Sequence, residues 1–257
     1  MSYYSITSLY SGSKGNSVLI TSEGAKILID AGKSARALCS ALESIGEDIS
    51  GINAIFITHE HADHIGALRI LLKKHKIPVH IVGISANKLL SDKLFEHRDI
   101  VCTHSPIFSV EVGNMTVRSF STPHDSDYSV GYIIEIGDKK IGYATDIGYV
   151  TDEIRGALMG CESVVLECNH DEDMLMNGPY PYDLKLRIRS NRGHLSNADC
   201  ASLAGELCLA GTKNMLLAHL SEDNNEPALA YDTVWSAIAD DSVNLKVASQ
   251  YERVKLI

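Results

Sequence analysis

The sequence predicts an α/β protein, a four-layer αββα sandwich in which two sheets pack face to face with helices outside. Short apolar strands recur along the whole chain, and between the later ones lie segments with apolar residues at helical spacing. No repeat, low-complexity tract or Pro/Ser-rich linker divides the sequence. Stacking two sheets between helices buries the apolar faces of all these elements. A single domain over residues 1–257 is expected, because large sandwiches run to this length as one unit.

The opening third reads as strands over 5–10, 17–21 and 26–30, punctuated by Gly12, Gly15 and Gly24. Residues 34–45 have helical spacing, with Leu38, Ala41, Leu42 and Ile45 on one face and Gly46 as a stop. The run Ala54-Ile55-Phe56-Ile57-Thr58 is the kind expected of a buried strand. A helix should follow over 62–75, ended by Pro78. A strand over 79–82 and a helix over 85–95 come next, then strands over 107–112, 115–121, 130–136 and 140–144. Further helices are expected over 151–158, 197–209 and 227–238, and further strands over 163–167, 214–218, 244–247 and 253–257.

Composition narrows the function classes. Hydrophobic residues at 45% and charged residues at 22% suit a globular chain rather than a disordered one. Residues 1–11 alternate polar and apolar, unlike a signal peptide, and no run approaches the roughly 18 apolar residues of a membrane span. The six cysteines are scattered without a CxxC pair, so reduced thiols and a cytoplasmic location are expected. A net charge of −10 repels polyanions at long range, so a nucleic-acid substrate requires local positive charge. Lys185, Arg187, Arg189 and Arg192 supply some of it, although such a run is by itself more often a solvated helix face.

Chemistry concentrates in Thr58-His59-Glu60-His61-Ala62-Asp63-His64, which follows an apolar strand and opens a helix. Residues two apart at a strand end project to one side, so His59 and His61 reach one cation together. Asp63 and His64 lie where the chain turns and suit a second cation. An HExxH zinc-protease motif is excluded, because position 63 is Asp.

This HxHxDH signature resembles that of the metallo-β-lactamase superfamily. The resemblance implies that Asp30 buttresses the ligand loop and that His124, Asp146 and His219 complete the ligand set. One metal would then be held by His59, His61 and His124 and a second by Asp63, His64 and His219, with Asp146 shared. The segments 9–16, 122–125, 144–149, 167–171, 178–181, 193–197 and 218–222 are further similar to the YycJ (WalJ, VicX) family, over nearly the whole chain. That family is related to RNase Z, and the resemblance implies a DNA exonuclease acting from the 5′ end. Ala62 and Cys168 stand where the family more often has serine, and Cys168 beside the site would affect its redox sensitivity.

Two divalent cations about 3.5–4 Å apart lower the pKa of a shared water toward about 7 and clamp attacking and leaving oxygens. Zn²⁺ suits imidazole and carboxylate ligands, and Mn²⁺ or Fe²⁺ accepts the same mixture; no organic cofactor is expected. Asp63 is placed to orient the attacking water or accept its proton. His194, in Gly193-His194-Leu195-Ser196, is similar to the RNase Z segment that protonates the leaving oxygen. Ser13 and Asn16 lie in a Gly-rich loop able to cradle phosphate, and His170, Tyr182, Lys185 and Arg189 are candidate substrate contacts. His80 and His104 read as structural. Two other classes compete with a phosphodiesterase: a hydrolase of thioesters, lactones or cyclic phosphodiesters, and a non-catalytic nucleic-acid-binding module. A flavodiiron-like redox centre fits poorly, because His61 stands where those relatives carry a carboxylate.

Overall fold

The computed structural model describes residues 3–91 and 97–257. The first part of the chain supplies β1 (Tyr4–Tyr10), β2 (Ser17–Ser22), β3 (Lys26–Ile29), α1 (Ala35–Glu43), β4 (Ala54–Phe56), α2 (Ala62–Ile65), α3 (Leu68–Lys74), β5 (Val79–Val82), α4 (Gly83–Ser91) and β6 (Val101–His104). The second supplies β7 (Ser109–Val112), β8 (Met115–Thr122), β9 (Ser129–Ile136), β10 (Lys139–Ala144), α5 (Asp152–Leu158), β11 (Ser163–Glu167), α6 (Glu172–Asn177) and α7 (Tyr182–Ile188). It continues with α8 (Asn197–Leu209), β12 (Asn214–Ala218), α9 (Pro227–Ile238) and β13 (Asn244–Val247), and β14 (Val254–Lys255) returns to the first sheet.

The sheets are seven-stranded, in the orders β14-β1-β2-β3-β4-β5-β6 and β13-β12-β11-β10-β9-β8-β7. Each is antiparallel where hairpins connect neighbours and parallel where helices intervene: β3 to β6 in one, β10 to β13 in the other. Three apolar layers follow from this. Ile6, Ile27 and Phe56 meet Val117, Tyr132 and Val165 between the sheets. Leu19, Leu28 and Ile55 pack under Leu38 and Leu42 of α1 and Leu71 of α3. Val164, Leu166 and Leu217 pack under Leu158 of α5, Leu203 of α8 and Val234 of α9. Strands buried on both faces need near-continuous apolar runs, which is why Val164-Val165-Leu166 and Met215-Leu216-Leu217 show no alternation. The four-layer αββα sandwich is therefore the observed architecture.

The helix expected over 62–75 is broken into α2 and α3. Gly66 passes so close to the 31–33 loop that an added Cβ would lie 2.5 Å from Lys33 O, and Ala67 N donates to Ala31 O at 2.9 Å. Tertiary hydrogen bonding to that loop replaces helical continuity there. The helix expected over 85–95 is observed as α4 through Ser91, and its remainder lies outside the described residues. Strand β6 and helices α6 and α7 were not separate elements of the sequence reading. In α6 and α7 the apolar spacing is short and irregular; Asp171 caps α6 by accepting from Met174 N.

Candidate metal centre and cleft

Strand ends build the site. Asp30 follows β3, Thr58 and His59 follow β4 by two and three residues, Asp146 and His219 follow β10 and β12, and Glu167 closes β11. Asp30, Asp146 and His219 all turn the chain with positive φ, at 62°, 58° and 57°. That region is uncommon for residues other than glycine, and Asp and His are among those enriched there. Non-glycine residues held so are characteristic of functional turns.

Asp30 is fully buried and holds the motif loop. Its carboxylate accepts from Thr58 N at 2.8 Å, from Thr58 Oγ1 at 2.9 Å and from His64 Nδ1 at 2.8 Å. The last bond commits Nδ1 of His64 and leaves its Nε2 facing inward, 3.2 Å from Asp63 Oδ2 and 3.4 Å from Asp146 Oδ2. His124 is fixed in the same way, Nδ1 donating to Gly193 O at 3.0 Å. For His219 the acceptor is Glu167 Oε1, at 2.9 Å from Nδ1. Such outer partners set which nitrogen is left for a metal.

The inward atoms form groups whose members lie within 4.8 Å of one another: His59, His61 and His124; His59, His64 and Asp146; Asp63, His64 and His219. Asp146 stands between, Oδ1 3.6 Å from both His124 Nε2 and His219 Nε2. His59 Nε2, Asp146 Oδ2 and His219 Nε2 are buried without a hydrogen-bond partner among the described residues. Buried polar atoms are seldom left so. Converging unpartnered nitrogens and oxygens of this kind fit divalent-metal binding.

A fourth group, Asp146, Glu167, His194 and His219, is different in kind. Here Glu167 Oε1 accepts from Nδ1 of His194 at 2.8 Å as well as from Nδ1 of His219, and Oε2 accepts from Ile147 N at 2.7 Å and Leu195 N at 3.1 Å. Burial alone would raise this carboxyl's pKa, but His194 and His219 beside it draw it down to about 2. Glu167 stays ionised and orients both rings. The sequence analysis assigns it no role; an acidic residue closing the apolar run Val164-Val165-Leu166, next to β10 and β12, which lead into Asp146 and His219, is the available signal.

His194 itself is partly exposed and lines a cleft of about 210 Å³ with Ser13, Asp125, Tyr180, Arg187 and Ser221. Arg187 pairs with Asp125, the neighbour of His124. Arg187, a member of the basic run expected to supply local positive charge, thus belongs to the cleft, whereas Lys185 and Arg189 were the members expected to contact substrate. Lys185 is buried, its ammonium donating to Met176 O at 2.8 Å and Gly178 O at 2.7 Å beyond the end of α6, which removes it from the substrate face. Arg189 is exposed near Glu172 and Tyr182 is 65% exposed on α7; neither lines the cleft. Asn16 is buried, its amide bonding Gly12 O, Asp63 Oδ2 and His64 Nε2, each at 3.2 Å, so it props the motif rather than cradling phosphate. His170 is also buried, with its pKa lowered to about 4 by burial and no place in the cleft lining. Cys168 donates from Sγ to Asn197 Oδ1 at 3.0 Å, and all six cysteines are free.

A sandwich of two mixed sheets between helices, with His and Asp side chains gathered at its strand ends, is the metallo-β-lactamase fold. Residues 25–220 match the β-lactamase superfamily domain, and the chain belongs to that family. It is 36% identical over 228 residues to Exodeoxyribonuclease YycJ of Bacillus anthracis, covering 86% of this chain and 84% of that one. Exodeoxyribonuclease WalJ of Streptococcus pneumoniae is 34% identical over 248 residues, covering 95% of this chain and 91% of the relative. Among solved structures, the metallo-β-lactamase fold protein YhfI from Bacillus subtilis superposes with a TM-score of 0.76 at 16% identity, over 98% of this chain and 99% of that one. No helix among the described residues is long and apolar enough to cross a membrane.

Proposed function

We propose that the chain is a cytoplasmic dinuclear metal-dependent phosphodiesterase acting as a 5′-to-3′ DNA exonuclease. The observation that carries this reading is His194, held on ionised Glu167 with its ring at the cleft and beside the metal ligands rather than among their inward atoms. The names of the two curated relatives supply the substrate class and support DNA.

In this reading His59, His61 and His124 would hold one cation and Asp63, His64 and His219 the other, with Asp146 placed beside both groups. When bound, the pair supplies Lewis-acid activation of water and neutralises charge at phosphorus. Asp63 is propped by Asn16 and orients the water or takes its proton. His194 gives a proton from Nε2 to the departing alkoxide, while Glu167 keeps Nδ1 occupied and the ring fixed. Arg187 and Tyr180 line the approach, one offering positive charge and the other an aromatic edge to the strand.

Digestion of 5′- and 3′-labelled single-stranded DNA and RNA, with Mn²⁺ or Zn²⁺ added, tests the proposal. Release of labelled mononucleotide from 5′-labelled DNA at early times, with the 3′ label still in long fragments, is expected. Loss of the 3′ label first, or no cleavage of DNA with either metal, would overturn it.

A further inference from the structure

We propose that the pocket lined by His124 and Tyr149 receives the sugar and base of the nucleotide that carries the scissile phosphate; the inference rests on the phosphodiesterase reading. This pocket is separate from the His194 cleft. Its volume is about 560 Å³, and Thr122, Ser129, Tyr149, Asn191 and Arg192 line it together with His124 itself. That is within the range of about 300–1,000 Å³ typical of small-molecule sites.

Its walls are built in advance. Gly148 N donates to Pro123 O at 2.8 Å, and a Cβ at Gly148 would lie 2.2 Å from Asn191 O, so the turn after Asp146 and the 191–193 turn are in backbone contact. Arg192 ties the His124 loop to the same wall, Nε donating to His124 O at 3.1 Å and Nη2 to Ser126 O at 3.3 Å. Ser126 and Ser129 add small polar residues to the lining. Tyr149 is 46% exposed, an aromatic face offered to a base.

The charge of the lining selects the part of the nucleotide. Asp127 and Glu153 lie in it, and the Arg192 guanidinium is partly occupied by carbonyls. A second phosphate would meet acidic groups there, whereas a neutral nucleoside would not. His124 lines this pocket and its ring centroid lies 5.1 Å from that of His194, so a phosphate at the ligand cluster would stand near both.

Calorimetric titration of the Mn²⁺-loaded protein with deoxyadenosine 5′-monophosphate and with inorganic phosphate tests the pocket. The nucleotide should bind about tenfold more tightly than phosphate, in line with one stacked base. Tyr149→Ala should remove most of that preference with phosphate affinity altered less than about twofold, and Tyr149→Phe should restore it. Equal affinity for the two ligands in the native protein, or a preference that survives Tyr149→Ala, overturns the pocket while leaving the phosphodiesterase reading intact. Failure of the native protein to cut labelled DNA under any metal removes that reading and this inference with it.

Discussion

Oε1 of Glu167 lies 2.8 Å from Nδ1 of His194 and 2.9 Å from Nδ1 of His219. One buried oxygen therefore orients both the proposed proton donor and a proposed metal ligand. The two functions are linked through a side chain that touches neither substrate nor cation in this account.

Replacing His194 by Ala separates them. Turnover on DNA should fall by roughly 10²–10⁴, the range for a lost general acid, with both cations retained by elemental analysis. Turnover equal to the native enzyme would remove His194 from the mechanism.

Glu167→Gln acts on both. The amide nitrogen cannot accept, so at least one of the four donors now meeting the carboxylate loses its partner. Metal affinity should drop about 10–100-fold, as for other outer partners of ligand histidines, and turnover should drop as well. Competition with a chromogenic chelator measures the first effect; unchanged affinity would show that His219 does not need this support.

Gly32 sits where three loops converge, and an added Cβ would lie 1.8 Å from Asp63 O and 2.6 Å from Asn16 N. Both contacts are backbone, so neither side can turn away. Gly32→Ala should destabilise the fold by about 1–3 kcal/mol, the usual cost of overpacking, read as a lower urea midpoint at unchanged slope. A native midpoint would mean that the motif loop yields easily.

His80 gives a pH dependence away from the metals. It stacks on Phe56, with ring centroids 4.8 Å apart, and its Nδ1 is 2.9 Å from His104 Nε2. Burial first, and His104 second, lower its pKa from 6.5 to about 4. Between those values the unfolded chain binds a proton that the folded chain refuses, so stability falls as pH falls through this window and this contribution is flat above it. Urea titrations at several pH values should show a shallower loss in His80→Phe than in the native protein. Parallel curves would contradict the assignment.

Much of this was legible in the residues. The strand-end apolar runs and the HxHxDH cluster carried fold and ligand candidates, because each depends on local spacing that a linear sequence preserves. Glu167 was harder to see, since its role depends on partners at 194 and 219 brought near only by packing, and packing likewise decides that Arg187 is the member of the basic run that lines the cleft. Lys185, Asn16 and His170 carry suitable chemistry, and burial rather than residue type turns them from substrate toward the scaffold. The break between α2 and α3 was hidden for the same reason: Gly66 and Ala67 answer to a loop more than thirty residues earlier, not to helical periodicity.

Anomalous diffraction from crystals grown with Mn²⁺ or Zn²⁺ would locate the cations themselves. Two peaks about 3.5–4 Å apart are expected, one against His59, His61 and His124, the other against Asp63, His64 and His219, with Asp146 touching both. A single peak, or density with His124, Asp146 or His219 turned outward, would contradict the account.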